Sequence, residues 1–309
     1  MPDFIISSYA VSPAHSSWDP ALEAELLPAL AALPDVVGLE VPWLGRLHPH
    51  DDSWFLDHVP ATGLALTPLP FVMGRTAADP RYGIASADAE GRAAALADLR
   101  ALAADVARLA QESAATPTLI ELHTAPRGGG SVEALAATLT EISGWDWSGA
   151  RLVVEHCDSP VPGQEYEKGF PSVADELAAL DRIAQAAGPE VGLWLNWGRS
   201  AVELRDADAV TAQIAQVADA GRLVGLGFSG AAAVAGPYGA AWADAHLPIA
   251  STHPESGSIL DEAHVAAALA AAGTPAFLGV KTSRRSTDTT AADALATVAA
   301  NLDVVRAAL

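Results

Sequence analysis

The sequence predicts an α/β chain closed into a single (β/α)8 barrel over residues 1–309. Three observations carry this expectation. Eight short apolar or β-branched runs alternate with alanine- and leucine-rich stretches of helical pattern, as a parallel sheet with crossover helices requires. A chain of 309 residues suits one such barrel, which takes about 250 residues before insertions. Five of the runs end in polar residues: LIELH (Glu121, His123), LVVEHCD (Glu155, His156, Asp158), GLWLNWGR (Asn196, Arg199), GLGFSG (Ser229) and FLGVKTS (Lys281). A barrel assembles its active site from strand ends at one face, so an enzyme is the leading reading.

In chain order, strands are expected at 3–9, 36–41, 63–68, 117–123, 151–157, 191–196, 222–228 and 276–282. Helices are expected at 20–32, 86–112, 131–143, 172–187, 205–220, 259–272 and 289–307, where alanine and leucine favour the helical backbone. The segment DDSWFLDHV reads as a further short helix. Two connections read as long loops after strands 3 and 7. Residues 69–85 carry Arg75, Arg81 and Tyr82; residues 229–258 carry Tyr238, Trp242, Asp244, His246, His253 and Glu255. Loops of this length often serve as lids or binding loops. No composition break marks a linker.

The formal net charge of −21 disfavours nucleic acid and anionic lipid, since Lys and Arg drive phosphate binding. No run approaches the roughly 18 apolar residues of a membrane span. MPDFIISSYA has no basic, long-apolar leader pattern. The single cysteine, Cys157, excludes an intrachain disulfide framework and reads as a small buried hydrophobe. The expectation is a cytoplasmic protein acting on a small molecule, with homo-oligomerisation left open. Only two lysines, Lys168 and Lys281, stand against fifteen arginines, which makes a lysine kept inside a strand informative.

Strand alternation selects the inward-facing side chains. Glu121 and His123 share a face with Leu119, Glu155 with Val153, Asn196 with Trp194, and Lys281 with Gly279 and Phe277. Gly225, Gly227 and Ser229 form one face of strand 7, where small residues leave room for a ligand. With Glu40, the expected mouth holds Glu40, Glu121, His123, Glu155, Asn196, Ser229 and Lys281. Carboxylates and an ammonium converging in a desolvated cup must separate their pKa values, as acid/base catalysis needs. The plain alternative is a structural Glu155–Lys281 ion pair plugging the barrel. Parity sends His156 toward the helix layer, where Asp158 is placed to orient it; it stays a candidate substrate contact.

The segment PWLGRLHPHDDSWF places Trp43, Arg46, His48, His50, Asp51 and Trp54 in one loop. An H-x-H pair beside two aspartates has metal-ligand character, though a polar surface loop is the commoner arrangement. Trp43, Trp54 and Trp197, if exposed, suit the apolar face of a sugar ring.

With these motifs together, the chain resembles the xylose-isomerase-like TIM barrel superfamily of sugar isomerases, sugar epimerases and endonuclease-IV-type barrels. More closely, it resembles an uncharacterised bacterial family within it. The resemblance spans nearly the whole chain through GLEVPWLGRLHPHDDSWF, IELHTAP, LVVEHCDSPVPGQ, LNWGRSAVE, YGAAWADAHLP and LGVKTS. It implies a sugar or sugar derivative as substrate. It also implies, for the superfamily's metal-dependent members, a divalent cation held by Glu, Asp, His and Glu on strands five to eight. Here those places carry Glu155, Asn196, Ser229 and Lys281, so no residue is assigned to a metal and no cofactor is expected. Lys281 is then expected to supply the missing positive charge, with Glu155 or Glu121 moving a proton and His123 as partner. A Schiff base at Lys281 ranks lower. Expected substrate contacts are Glu40, Trp43, Arg46, His48, Arg75, His156, Asn196, Trp197, Arg199, Ser229, Trp242 and His246, with Arg199 and Arg75 clamping an anionic group. Three functions follow in order: an isomerase, epimerase or β-eliminating lyase on a sugar or keto-sugar; a glycoside hydrolase using paired carboxylates; a non-catalytic sugar-binding barrel.

Overall fold

The computed structural model describes residues 3–186 and 188–309. Eight parallel strands close in sequence order into a barrel: β1 (Asp3–Ser7), β2 (Val36–Pro42), β3 (Gly63–Thr67), β4 (Thr116–Leu122), β5 (Arg151–Glu155), β6 (Gly192–Asn196), β7 (Leu223–Phe228) and β8 (Phe277–Val280). Closure is made by β1 on β8, with Phe4 opposite Leu278. The expected (β/α)8 fold is the observed one.

The helices are α1 (Ser8–Val11), α2 (Pro13–Ser16), α3 (Pro20–Ala31), α4 (Asp52–His58), α5 (Leu69–Ala78), α6 (Ala89–Glu112), α7 (Val132–Ser143), α8 (Val173–Gln185), α9 (Trp197–Leu204), α10 (Ala207–Asp219), α11 (Glu262–Ala272) and α12 (Ala291–Ala307). Their starts are set by side-chain caps. Asp88, Ser131 and Asp206 accept N–H bonds from the first turns of α6, α7 and α10, while Ser172 and Thr290 form capping boxes with Asp175 and Asp293. The connection after β3 is long, as expected, but its first half is α5 rather than loop. Among the described residues no helix is long and apolar enough to cross a membrane.

Inside the barrel, alternation stacks an apolar layer below a polar one. Ile5, Ala65, Leu119, Val153, Trp194 and Val224 form the lower plug, with Phe277 packed against it. Two residues further along their strands, Ser7, Thr67, Glu121, Glu155 and Asn196 form the upper layer, joined by Glu40 and Lys281, all nearly inaccessible to solvent. The space expected beside the β7 glycines is filled. A Cβ on Gly225 would lie 2.0 Å from the Trp194 ring, and one on Gly279 2.7 Å from it. Those glycines admit the Trp194 indole rather than a ligand.

Candidate active site

Glu40, Glu121, His123, Glu155 and Lys281 meet at the C-terminal ends of β2, β4, β5 and β8, as alternation predicts. Lys281 Nζ donates to Glu40 Oε1 at 2.5 Å. His123 Nε2 lies 2.8 Å from Glu155 Oε2, and Arg199 holds the other oxygen of that carboxylate. Arg199 is delivered by α9. Asn196 Oδ1 accepts the N–H groups of Gly198 and Arg199 at 3.0 and 3.4 Å, which caps the helix. Gly198 is required there, since a Cβ would sit 2.5 Å from Ser229 Oγ.

The two carboxylates at the centre are driven apart. Burial, then the charges of Glu155 and Glu40, push Glu121 well above the ordinary carboxylate range. Burial also opposes ionisation of Glu155, but Arg199, Lys281 and His123 outweigh it and hold that carboxyl well below the range. Burial lowers the pKa of His123 despite Glu155. An ionised Glu155 only accepts, so His123 carries its proton on Nε2 and presents a bare lone pair at Nδ1. His123 Nδ1, Glu121 Oε2, Ser7 Oγ and Thr67 Oγ1 are buried and make no hydrogen bond within the protein. Buried polar atoms of this kind call for a partner, an ordered water or a bound ligand, and four of them gather at one face.

Sequence reasoning missed three members of this site. Tyr9 packs its ring 5.2 Å from Lys281 Nζ and its hydroxyl 3.4 Å from Glu40 Oε1. Asp244 accepts from Arg199 Nε at 2.9 Å and from Lys168 Nζ at 2.7 Å. The scarcity of lysine was a signal for Lys168 as for Lys281. His246, an expected contact, belongs here through Asp244 at 3.1 Å.

Other expected contacts lie elsewhere or are already engaged. Trp43 is buried and donates Nε1–H to Asp105 at 2.8 Å, and Trp197 is fully buried on α9, so neither offers a sugar platform. Trp54 stacks on His58. Arg46 pairs with Asp52 and Arg75 with Asp98 on the surface; Arg199 is tied to Glu155 and Asp244. The anion clamp expected of Arg75 and Arg199 is therefore not formed. His48 Nδ1 accepts the N–H groups of Asp51 and His50, its pKa lowered to about 4 chiefly by burial, while Asp51 caps α4. The H-x-H segment is thus a helix start. His156 faces the helix layer, 2.8 Å from both Glu176 and Glu203; burial opposes its charge, but these carboxylates raise its pKa to about 10. Asn196 Oδ1 also accepts from Ser229 Oγ at 2.6 Å, so both residues are occupied in positioning α9. Trp242 lies in the β7 loop against Arg205. Burial pushes the Cys157 thiol up, as for an inert core residue.

The metal positions implied by the resemblance do not fit a divalent cation. Asn196 and Ser229 bond each other, Lys281 adds positive charge, and Arg199 occupies Glu155. Among the described residues the structure does gather one three-ligand cluster that the sequence reading did not assign: Glu121, His123 and Glu155, with ligand atoms within 4.8 Å of one another. Its His123 and Glu155 are already bonded together and to Arg199, beside a second buried cation, which disfavours a hard divalent ion there.

Residues 5–297 match the family described as "Domain of unknown function (DUF4862)". An uncharacterized Salmonella typhimurium protein, STM3670, is 33% identical over 286 residues, covering 90% of this chain and 88% of the relative. Among solved structures, an L-ribulose 3-epimerase superposes with a TM-score of 0.61 at 18% identity, covering 100% of this chain and 96% of the other. D-allulose 3-epimerase from Methylomonas sp., in complex with D-allulose, gives 0.57 at 14%, covering 100% and 97%. A xylose isomerase domain containing protein from Salmonella typhimurium gives 0.58 at 12%, covering 99% and 97%. At these identities the structural likeness shows a shared (β/α)8 barrel fold.

Proposed function

The chain belongs to this family of unknown function, and we propose that it moves a proton next to the carbonyl of a small sugar or keto-sugar, as an isomerase or epimerase does. The observation that carries this reading is the separation of Glu121 and Glu155 beside two fixed cations in one buried layer. Glu40, Glu121 and Glu155 share Lys281 and Arg199, which also holds Asp244, and a proton on Glu121 relieves this excess of negative charge. Glu121, held protonated by its raised pKa, is then the group that gives and takes the proton, with the Nδ1 lone pair of His123 as its partner. Glu155 stays ionised, orienting His123 and Arg199. Lys281 aims a permanent ammonium where a substrate oxygen gains charge as the carbon–hydrogen bond breaks, the role that a metal plays in metal-dependent barrels.

The solved epimerase barrels of the same fold, one holding D-allulose, support a sugar as substrate class. The acidic surface supports a small-molecule partner over nucleic acid. Incubation with a panel of ketoses and aldoses in deuterated water, read by NMR, tests the reading: loss of one carbon-bound proton signal that needs the protein is expected. A panel with no exchange at any carbon would contradict it.

A second reading has one observation in its favour. Glu121 and Glu155 offer oxygens within 4.8 Å, one carboxyl raised and one lowered, near the roughly 5–5.5 Å spacing of a retaining glycosidase. Release of nitrophenol from aryl glycosides would select it.

A further inference from the structure

A cavity of about 530 Å3 opens at the C-terminal face of the barrel among the segments that follow β1, β7 and β8. Tyr9 forms part of its wall and also touches Glu40, so the cavity adjoins the charged layer. Its β8 side is the run Ser283–Thr287, which includes Arg284 and Arg285.

Arg284 differs from most arginines of this acidic chain. Eleven of the fifteen form ion pairs among the described residues; Arg92, Arg127, Arg205 and Arg284 do not. Arg127 lies over the Tyr166 ring and Arg205 over Trp242, and neither they nor Arg92 line this cavity. Arg284 is half-buried, and its Nη1 is anchored by the carbonyls of Asp288 and Arg285 at 2.8 and 3.2 Å. Those bonds orient the guanidinium and leave its charge uncompensated. Arg285 is held by Asp288, 3.2 Å away. Across the cavity, the buried hydroxyl of Tyr238 makes no hydrogen bond within the protein. Glu255 also lines the wall, but it is solvent-exposed, and its charge is screened.

We infer that this cavity seats an anionic substituent, a phosphate or a carboxylate, of the sugar, with the Arg284 guanidinium as its counter-charge. The sugar chain then runs past Tyr9 toward Lys281, which rests on the proposed proton-transfer site. A planar, permanently charged fork with free donors matches either anion, and loops after the seventh and eighth strands are where barrels commonly hold phosphate.

The test is a binding measurement, independent of turnover. Titration calorimetry would compare D-fructose, D-fructose 6-phosphate, D-fructuronate and inorganic phosphate on the wild type, Arg284→Gln and the distant control Arg127→Gln. The expected result is at least about tenfold tighter binding of one anionic sugar than of the neutral one. That preference should fall to within about twofold in Arg284→Gln and persist in Arg127→Gln. Whichever of the two anionic sugars gains identifies phosphate or carboxylate, and competition by inorganic phosphate assigns the gain to the anion alone. Equal affinities, no binding of either anionic sugar, or a preference that survives Arg284→Gln would overturn the inference. Should Arg284→Gln fail to fold by circular dichroism, the wild-type preference and its decline with salt decide. Proton exchange without an anion preference would remove this inference and leave the proposed reaction standing; the reverse result would do the opposite.

Discussion

Lys281 and Glu40, 241 residues apart in the sequence, form a buried ion pair at 2.5 Å across the barrel mouth, with the Tyr9 ring beside the ammonium. Burial disfavours the charge of Lys281, but Glu40, Tyr9 and Glu155 outweigh it and hold its pKa well above the ordinary lysine value. That direction favours a permanent electrostatic role over a Schiff base, which needs the free amine.

Removing one partner of such a pair leaves a buried charge uncompensated. Lys281→Met is expected to cost about 3 kcal/mol or more of stability, and Glu40→Gln added to it should recover part of that loss. Urea denaturation of the two single variants and the double variant measures the coupling. Additive losses would mean the pair is not formed in solution.

Glu121 keeps its proton in the folded state to higher pH than in the unfolded chain, where Glu titrates near about 4.3. Above that pH the native state binds more protons, so this residue lowers stability as pH rises. Glu121→Gln should be about as stable as the wild type at pH 4 and progressively more stable toward pH 8, while losing turnover. Denaturation midpoints at pH 4, 6 and 8 check the slope; a constant difference would contradict the assignment.

His156 gives the same direction of pH dependence for a different reason, because here the charged form is the one the fold stabilises. Its folded pKa, raised to about 10 by Glu176 and Glu203, means its charge stabilises the fold below the unfolded value near 6.5. That contribution is lost as pH climbs toward about 10. His156→Asn should cost about 3–5 kcal/mol at pH 6, with the gap to wild type shrinking by pH 9.5. Equilibrium unfolding at both pH values tests this.

The barrel was legible because its signals are local: period-two alternation, capped alanine-rich helices and strands ending in polar residues. The same alternation placed Glu121, Glu155 and Lys281 together and turned His156 outward. What failed depends on packing between elements. Trp194, from the neighbouring strand, fills the space that Gly225 and Gly279 open, and no pattern within one strand shows that. Trp43 and Trp197 follow strand ends, where exposure is expected, yet both turn into the core. The run LPFVMGRTAA reads as loop because Pro70 and Gly74 disfavour helix, but Pro70 falls in the first turn, where proline is tolerated. Asp244 reaches Arg199 from 45 residues away through an irregular loop, a contact that only the folded chain creates.

In the proposed reaction, fixed cations of the protein, rather than a divalent metal, support proton transfer. The most direct test is hydrogen–deuterium exchange at a sugar carbon, followed by NMR on chelator-treated protein whose metal content is measured, in the wild type and in Lys281→Met. Exchange is expected to persist in EDTA without bound metal and to disappear in Lys281→Met. Exchange that vanishes in EDTA and returns with one equivalent of Mn2+ or Zn2+ would contradict it and make Glu121, His123 and Glu155 the ligands.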